Sequence, residues 1–443
     1  MTHSSRDVLL LFHHSLLACG IRLGAITSKM LAYARYLTLL LMMLVFRIAN
    51  ADEVSDSSIF EPVVFQPKIF KVHGFATLGT ANSSEDQADF VDMINLPKGA
   101  GYSHNWSFNT DSRIGLQIDA VLTDNLYAVM QVQSKQNYDD SYTPKVEWAN
   151  LNLQLTPQLK IGVGRFGIPF FMASDSLNVG YAQPWLRVPT VVYYFPISEL
   201  DGVNVNYQYK LGEALLNVQT LYGHSNFKFL IDGTAAQAYV KNFSGAAFTA
   251  ENGNSTIRLS YFLINHGFSL SNSQLDGMFN LYRTMGMSAL ANQYEVKNHS
   301  QVFTGLGYSY VSSNWMFQSE ITKLRGDDDI TPSLTSWYTT LGRHYGKIFP
   351  YITLGESTLN KPSTIGGADP LGAINAALAA SNFGQHMLSI GTRWDFANSM
   401  DLKVQVDRIN LKHGSNGGLA NLQPGFKTGG SYNLLSFSVD VVF

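Results

Sequence analysis

Residues that could carry out acid–base or nucleophilic catalysis are few and scattered in this 443-residue sequence. The histidines after residue 51 form no HExxH motif and no metal-ligand spacing: His73, His104, His224, His266, His299, His344, His386 and His413. The one cysteine, Cys19, excludes a disulfide scaffold and a cysteine-based zinc site. We therefore predict no catalytic residues, no metal site and no cofactor.

Charged residues of both signs occur instead along one segment near the middle of the chain: Arg165, Asp175, Arg187, Glu199 and Asp201. Charges that face one another across a narrow, partly dehydrated opening create a transverse field, which screens solutes by charge and dipole. If a scaffold surrounded an opening lined by these residues, they would select solutes and not transform them.

The composition favours a β-rich scaffold. Only 14% of residues are charged, against roughly 25% in an average soluble protein, while 45% are hydrophobic and 12% aromatic. Abundant Gly, Tyr and Phe are typical of glycine turns and aromatic strands. The mean hydropathy of -0.01 is far too low for a bundle of transmembrane helices. Residues 52–443 contain 25 Lys and Arg against 32 Asp and Glu, which disfavours a nucleic-acid partner.

The first 51 residues are predicted to be an upstream segment followed by a secretory signal peptide. Met30 is the expected true start, Arg35 supplies the positive n-region, and residues 37–46 form the apolar h-region. Cleavage is expected after Ala51, with residues 52–68 as a short periplasmic lead-in. The apolar run is shorter than the ~20 residues that a spanning helix needs, so a retained anchor is the weaker alternative.

Period-two alternation recurs from residue 69 to the last residue. In the final strand, Leu435, Phe437 and Val439 share one face, and Ser436 and Ser438 share the other. Sixteen strands are predicted: 69–80, 111–122, 126–136, 145–156, 159–164, 201–210, 214–223, 240–250, 256–265, 300–311, 315–325, 334–345, 347–357, 385–396, 400–410 and 430–443. Tight turns such as residues 123–125 and 397–399 alternate with long polar loops, which is typical of a membrane barrel and not of a soluble sandwich. We predict an all-β fold, a single transmembrane antiparallel β-barrel over residues 69–443.

Over residues 52–443 the chain resembles the Gram-negative bacterial outer-membrane porins. The resemblance is carried by the last strand ending on Phe443, by Asp111–Gln117 (DSRIGLQ) with its following strand, and by a long third loop at 165–200. It implies a trimer of 16-stranded barrels in the outer membrane. It also implies contact with lipid and lipopolysaccharide, with the outer-membrane assembly machinery through Phe443, and with small hydrophilic solutes.

The resemblance makes the third loop, 165–200, the expected constriction of the barrel. Its charged residues, with Asp201 at its exit, are the constriction candidates: Arg165, Asp175, Arg187, Glu199 and Asp201. Charges on the wet faces of the strands are candidates for the lumen wall: Lys71, Arg113, Asp119, Lys135, Arg258, Glu320, Arg393 and Asp407. For each wall charge, the alternative is a hydrated ion pair without influence on selectivity.

The third loop is also rich in aromatic residues, including Phe170, Phe171, Trp185 and Tyr193. These rings are candidates for a track that stacks on sugars, and the favoured alternative is that they pack the loop against the barrel wall. The fifth loop, 266–299, has a helical spacing, and the seventh loop is predicted to start a helix with Asp369 as N-cap. An acidic triplet at 327–329 is either a divalent-cation bridge to lipopolysaccharide or a solvated loop tip.

The sequence therefore predicts a water-filled channel for passive diffusion of small hydrophilic solutes. A structural or adhesive barrel with an occluded lumen is the main alternative, because two helix-bearing loops could cover the mouth. An outer-membrane phospholipase is a weaker alternative, because it would need a Ser, His and amide or acid set on adjoining strands of a smaller barrel, and the histidines are scattered one per segment.

Overall fold

A computed structural model describes residues 69–94, 96–231 and 234–443. The predicted signal peptide, its cleavage site and the lead-in at 52–68 lie outside the described residues. They remain predictions.

Sixteen long antiparallel strands, here numbered β1 to β16, form one sheet. Their bounds are β1 Ile69–Ser83, β2 Arg113–Val121, β3 Leu126–Lys135, β4 Lys145–Gln154, β5 Leu159–Gly167, β6 Glu199–Leu211, β7 Ala214–Ile231, β8 Thr234–Asn252, β9 Ser255–Asn272, β10 His299–Val311, β11 Trp315–Gly326, β12 Leu334–Arg343, β13 Ile348–Leu359, β14 Gln385–Ala397, β15 Met400–Leu411 and β16 Ser431–Val442. Each of the sixteen overlaps the strand that the sequence predicts.

The sheet closes on itself because β1 pairs with both β2 and β16. Its register with β16 runs from Phe75 opposite Val442 to Ser83 opposite Leu434, and its register with β2 starts with Ile69 opposite Val121. A closed ladder leaves no edge strand without partners. The predicted all-β fold, a sixteen-stranded antiparallel barrel, is confirmed.

The period-two alternation separates an apolar exterior from a polar interior. Leu402, Val404 and Val406 of β15 lie opposite Val439, Phe437 and Leu435 of β16 on the outside, where Val406 is exposed. Large apolar side chains are likewise exposed on the other strands: Val72, Leu78, Ile114, Val163, Leu259, Leu306, Ile321, Leu354 and Ile390. Such a surface is stable in the hydrocarbon of a bilayer and costly in water. The barrel therefore spans a membrane.

The two ends of the barrel differ in their connections. At one end, the short-turn end, consecutive strands are joined by two to four residues, as at 212–213, 253–254 and 398–399. Tyr310, Trp315 and Trp394 are exposed near this end, as expected for an aromatic girdle. The opposite end, the long-loop end, carries the loops 84–112, 136–144, 168–198, 273–298, 327–333, 360–384 and 412–430.

The prediction that long loops alternate without exception is wrong at the fourth loop. The residues predicted as loop at 224–239 extend β7 to Ile231 and start β8 at Thr234, and the two strands pair as far as these residues. Phe227 and Phe229 explain the extension, because they continue the alternation of β7 and their rings stack at 5.8 Å. The barrel wall therefore rises beyond the membrane as a hairpin.

The long-loop end also holds most of the described helices. Their bounds are α1 Thr190–Tyr193 in the third loop, α2 Ser273–Thr284 and α3 Ser288–Tyr294 in the fifth loop, and α4 Ala373–Ala380 in the seventh loop. No described helix is long and apolar enough to cross a membrane.

The helical fifth loop is as predicted, but the predicted N-cap of the seventh loop is wrong. Gly372, in the left-handed region, precedes α4. The carboxylate of Asp369 instead accepts hydrogen bonds from Asn375 N, inside the helix, and from the Tyr282 hydroxyl of α2. Asp369 therefore still accepts from an N–H in the first turn of α4, although Gly372 is the N-cap, and it links α4 to α2 as well.

The C-terminal residue lies against β1, and this contact allows its predicted role as an assembly signal to be tested. Gly74 and Phe443 exchange two backbone hydrogen bonds of 2.7 and 2.9 Å, and a Cβ added at Gly74 would lie 2.2 Å from the Phe443 ring. We expect Phe443→Ser to reduce folded protein in the membrane to a minor fraction of the wild-type level. Gly74→Ala, which displaces the ring but keeps the terminal residue, should leave most of it. Heat-modifiable mobility in electrophoresis measures both, and equal losses would mean that the contact matters and the signal does not.

Candidate functional site at the third loop

The third loop, residues 168–198, folds into the barrel and lies against one part of its wall. Trp185 Nε1 donates to Thr340 Oγ1 of β12 at 2.9 Å. The Leu186 backbone N–H donates to the hydroxyl of Tyr351 in β13 at 3.2 Å. Trp185 and Leu186 are almost fully buried. The loop is therefore held by specific contacts inside the lumen.

Aromatic packing forms the base of the loop. The ring of Phe170 lies 4.9 Å from Phe195 of the same loop, 5.1 Å from Phe262 in β9 and 4.6 Å from Phe303 in β10. Trp185 is only 1% exposed. These rings pack the loop onto the wall and present no stacking face to a solute, so the packing interpretation is the correct one for them.

Arg187 is the central anchor of the loop. Its guanidinium makes two hydrogen bonds of 2.6 and 2.8 Å to the carboxylate of Asp111, just before β2. It also lies 3.8 Å from Asp407 of β15 and 4.8 Å from the ring centroid of Phe90. All three charged side chains are at most 3% exposed. Arg187 thus neutralises two buried acids and does not line an open passage.

A second anchor holds the tip of the loop at Gly180. Lys403 of β15 donates to the Gly180 carbonyl at 2.6 Å and to Asp440 of β16 at 2.9 Å. The loop backbone comes so close to the wall that a Cβ added at Gly180 would lie 1.9 Å from the Asp440 carboxylate and 2.5 Å from Thr77 Oγ1. Only glycine fits at this position.

Three more of the wall candidates also bind the loop. Arg393 donates to the carbonyls of Tyr181 and Gln183 at 2.6 and 3.0 Å. Arg258 donates to the Phe171 carbonyl at 2.5 Å. Glu320 accepts a hydrogen bond of 2.6 Å from the Tyr193 hydroxyl and a shorter one from the Met172 N–H.

The remaining wall candidates also face the lumen. Lys71 lies opposite Asp119, and Arg113 lies opposite Lys135, in the registers of β1–β2 and β2–β3. Lys135 reaches the loop from the far side, since its ammonium donates to Asn178 Oδ1 at 3.3 Å.

Asp175 is the exposed charge of the loop. Its side chain is 73% exposed and lies 3.4 Å from the guanidinium of Arg258. A cavity of about 620 Å³ adjoins this pair, lined by loop residues and by residues near the short-turn end such as Glu251, His344 and Asp395. Among described residues, no hydrogen bond or ion pair joins residues 169–197 to β4–β7. The structure therefore separates a wall that holds the loop from a facing wall that does not.

Three of the five constriction candidates are strand residues and not loop residues. Strand β5 continues to Gly167 and β6 begins at Glu199, so the loop is shorter than the predicted 165–200. Arg165 and Asp201 are opposite each other and form an ion pair of 2.7 Å. They alternate in phase with the exposed, outward Val163 and Val203.

Arg165 and Asp201 thus point away from the lumen, and their assignment to the constriction is wrong. The physical reason is the strand register, because a side chain points to the lumen or to the outside according to whether its position in the strand is odd or even. Glu199, the first residue of β6, is half-buried, and Ser198 Oγ donates to it at 2.5 Å.

The sequence reasoning missed the most common residue type on the lumen side of strands β2–β7, which is the carboxamide. Asn and Gln occupy lumen-facing register positions across β2, β3, β4, β6 and β7: Gln117, Gln131, Gln133, Asn150, Asn152, Asn204, Asn206, Asn217 and Gln219. These Asn and Gln residues occupy the polar positions of the strand alternation and were visible in the sequence, but the prediction considered charged residues only.

The first loop supplies one more acid, which has a carboxylate oxygen without a hydrogen bond in the described part of the chain. Asp92 is half-buried, and its Oδ1 has no hydrogen-bonding partner among the described residues. Burial and the nearby Asp111 raise the pKa of Asp92 to about 6, against the opposing effect of Arg113. Sequence alone gave no sign of this position.

One group at the long-loop end has the ligand types of a cation site. Ligand atoms of His299, Asp327 and Asp328 lie within 4.8 Å of one another. They already bond to neighbouring groups, since His299 Nδ1 is 2.8 Å from Asp327 and Asp328 accepts from Thr331 N at 2.7 Å. Asp328 is 3% exposed, so it is not the solvated loop tip that was one of the two interpretations.

Comparisons with known proteins support the fold. No family model and no curated protein matches the chain. The chain is similar to the solved structure of Salmonella typhi OmpF in complex with daunomycin, with 11% identity, a TM-score of 0.52, and coverage of 84% of this chain and 97% of that one. It is also similar to an anion-selective porin from Comamonas acidovorans, with 12% identity, a TM-score of 0.51, and coverage of 85% and 99%. The chain has the fold of these Gram-negative outer-membrane porins.

Removing the Arg187 guanidinium should destabilise the folded barrel. Arg187→Ala leaves Asp111 and Asp407 buried without their cation, and breaking a buried ion pair costs about 3–5 kcal/mol. Urea unfolding in detergent micelles, followed by tryptophan fluorescence, measures the change. The control is Lys98→Ala, which removes an exposed pair with Asp140 and should change stability far less, because solvent screens such a pair. Unchanged stability of Arg187→Ala would mean that the guanidinium does not anchor the loop.

Proposed function

We propose that the protein is an outer-membrane porin of a Gram-negative bacterium, a water-filled channel for passive diffusion of small hydrophilic solutes. The observation that carries the proposal is the third loop, which is bound inside a closed membrane barrel along one wall and leaves the facing wall polar. A loop in this position narrows a lumen that would otherwise be wide, and its exposed residues meet every solute that passes.

The surfaces of the barrel support the cellular location. An apolar exterior with a closed ladder suits a bilayer, and short turns at one end with longer loops at the other are the arrangement of outer-membrane barrels. In that orientation the long loops face outward, where they contact lipopolysaccharide. We also propose a homotrimer assembled with the outer-membrane machinery, as the resemblance implies.

Charge selectivity is proposed to depend on Asp175. The loop carries only two charged residues, Asp175 and Arg187. Arg187 is buried between two acids, whereas Asp175 is exposed beside the cavity. A charge inside the lumen lies closer to passing ions than one on an outer loop, so salt screens its effect on them less.

A structural barrel with an occluded mouth is the second candidate, and one observation favours it. Loops from different parts of the chain bind one another at the long-loop end. Tyr282 of the fifth loop donates to Asp369 of the seventh, and Asn421 of the eighth donates to Asp89 of the first at 3.0 Å. Neither candidate is catalytic.

Single-channel recording in a planar bilayer distinguishes the two candidates. The purified, folded protein should produce steady open steps in KCl, because the facing wall is not occupied by the third loop. The control is the same detergent preparation without protein. A bilayer that stays silent although folded barrels have inserted would favour the structural barrel and contradict the channel.

Replacing the exposed loop charge should change ion preference. Asp175→Asn removes a negative charge next to Arg258, so we expect the reversal potential across a KCl gradient to move toward anions. The control is Asp139→Asn in the second loop, an exposed acid whose field is screened over a Debye length of about 10 Å at 0.1 M salt. Equal shifts in the two variants would place the selective point outside the third loop.

A further inference from the structure

Two basic side chains on the outer surface of the barrel have no partner in the described part of the chain. Lys323 and Arg325 follow the exposed Ile321 at every second position of β11, so they point outward with it. Both side chains are exposed, and neither makes a hydrogen bond or an ion pair among the described residues. Two unneutralised positive charges side by side on this surface favour a ligand of negative charge.

The position of these side chains along β11 places them at one interface of the membrane. Trp315 lies near the short-turn end, at the level of the aromatic girdle. Arg325 is ten residues further along the strand, which at about 3.4 Å per residue and a tilt of about 40° is a rise of about 26 Å. The apolar band of a membrane barrel is about 25 Å tall. The guanidinium therefore lies where the lipid headgroups begin, and the long Lys323 side chain reaches the same level.

The surface below the two cations is apolar, and the surface beside them carries hydroxyl groups. Leu306 of β10 and Ile321 are opposite each other and are 48% and 47% exposed. Thr304 of β10 and Thr335 of β12 flank Lys323. Acyl chains can lie on the apolar part, while phosphate groups accept charge-assisted hydrogen bonds from the cations. The surface therefore suits an anionic lipid.

A second copy of the chain is a less suitable occupant of this surface, because it would have to bring an unpaired acid. Two acids at outward strand positions are already neutralised, since Asp201 forms an ion pair with Arg165 and Glu356 forms one with Lys412. Covering the two cations with an uncharged protein surface would leave them desolvated without a partner, which is costly. We therefore assign the surface to lipid.

We infer that Lys323 and Arg325 form a binding site for the phosphate groups of lipopolysaccharide, the phosphorylated glycolipid of the outer leaflet. The inference rests on the proposed location and orientation of the barrel, because it needs the long-loop end to face outward. It places recognition of the outer leaflet on the wall of the barrel and not in the loops. The protein supplies the positive charges itself, so the contact needs no divalent cation, unlike a contact through acidic side chains.

Binding of lipopolysaccharide to the folded full-length barrel tests the inference. The protein is refolded in a neutral detergent without lipopolysaccharide, and fluorescence anisotropy follows its binding to labelled lipopolysaccharide in mixed micelles. Lys323→Gln with Arg325→Gln should raise the dissociation constant about thirtyfold, because each basic residue at a membrane surface contributes roughly a factor of five to the binding of anionic lipid. Excess EDTA should leave binding to the wild type unchanged, and added salt should weaken it.

Three controls isolate the position, the phosphate groups and the channel. Arg343→Gln with Lys347→Gln removes two exposed positive charges near the short-turn end and should leave the dissociation constant within about twofold of the wild type. Lipopolysaccharide without its phosphate groups should bind the wild type as weakly as the intact lipid binds the Lys323 and Arg325 double variant. The conductance of that double variant in KCl should equal the wild-type value, because both residues lie outside the lumen.

Four results would overturn the inference while a conducting wild type leaves the proposed channel intact. Equal affinity of the wild type and the double variant would mean that the two cations do not bind the lipid. Loss of binding in EDTA would indicate a divalent-cation bridge, and full competition by millimolar inorganic phosphate would indicate a site for free anions. A double variant that loses its oligomeric state in size-exclusion chromatography but keeps its affinity for the lipid would assign the surface to a second copy.

Two further measurements keep the lipid site separate from folding and from the channel. If heat-modifiable mobility shows that the double variant does not fold, Lys323→Gln and Arg325→Gln alone decide, and each should raise the dissociation constant about fivefold. A wild type that binds lipopolysaccharide as expected but never conducts would contradict the channel and support the lipid site.

Discussion

The closed hydrogen-bonded ladder is the constraint on which the rest of this structure depends. A membrane interior offers no water to backbone groups, so the strands must pair all the way around, and β1 completes the circle with β16. Sixteen strands, however, enclose a lumen too wide for side chains to fill. The third loop fills part of this wide lumen, and most of the buried charged side chains inside the barrel hold the loop in position.

The anchors of the loop differ from an ordinary hydrophobic core. Lys403, Arg393 and Arg258 each donate to main-chain carbonyls of the loop, and Arg187 brings its positive charge to acids of the wall. Such groups are costly to bury, and they are tolerated when paired and hydrogen-bonded. Because their bonds are directional, they fix one position of the loop edge, including Asp175. The loop is thus a rigid part of the passage.

The sequence was sufficient for the sixteen strands because each one repeats a two-residue alternation. It was insufficient for Arg165 and Asp201, because a shift of one position in the strand decides whether a side chain faces the lumen or the outside. It was also insufficient at Phe227 and Phe229, where the strand alternation continues through a segment of polar residues. It identified the wall charges as lumen residues, yet the partners of Arg258, Glu320, Arg393 and Asp407 lie far away in the chain. Only tertiary structure shows that these side chains hold the loop.

The hairpin of β7 and β8 has a consequence for protein engineering. These strands have 18 and 19 residues, whereas a strand needs only about 9–11 to cross a bilayer, so their distal halves stand in water above the rim. The pairing below them sets the register independently of the tip. In the proposed orientation, a foreign peptide inserted between Ile231 and Thr234 would be displayed on the cell surface, which makes this tip a suitable site for presenting an epitope.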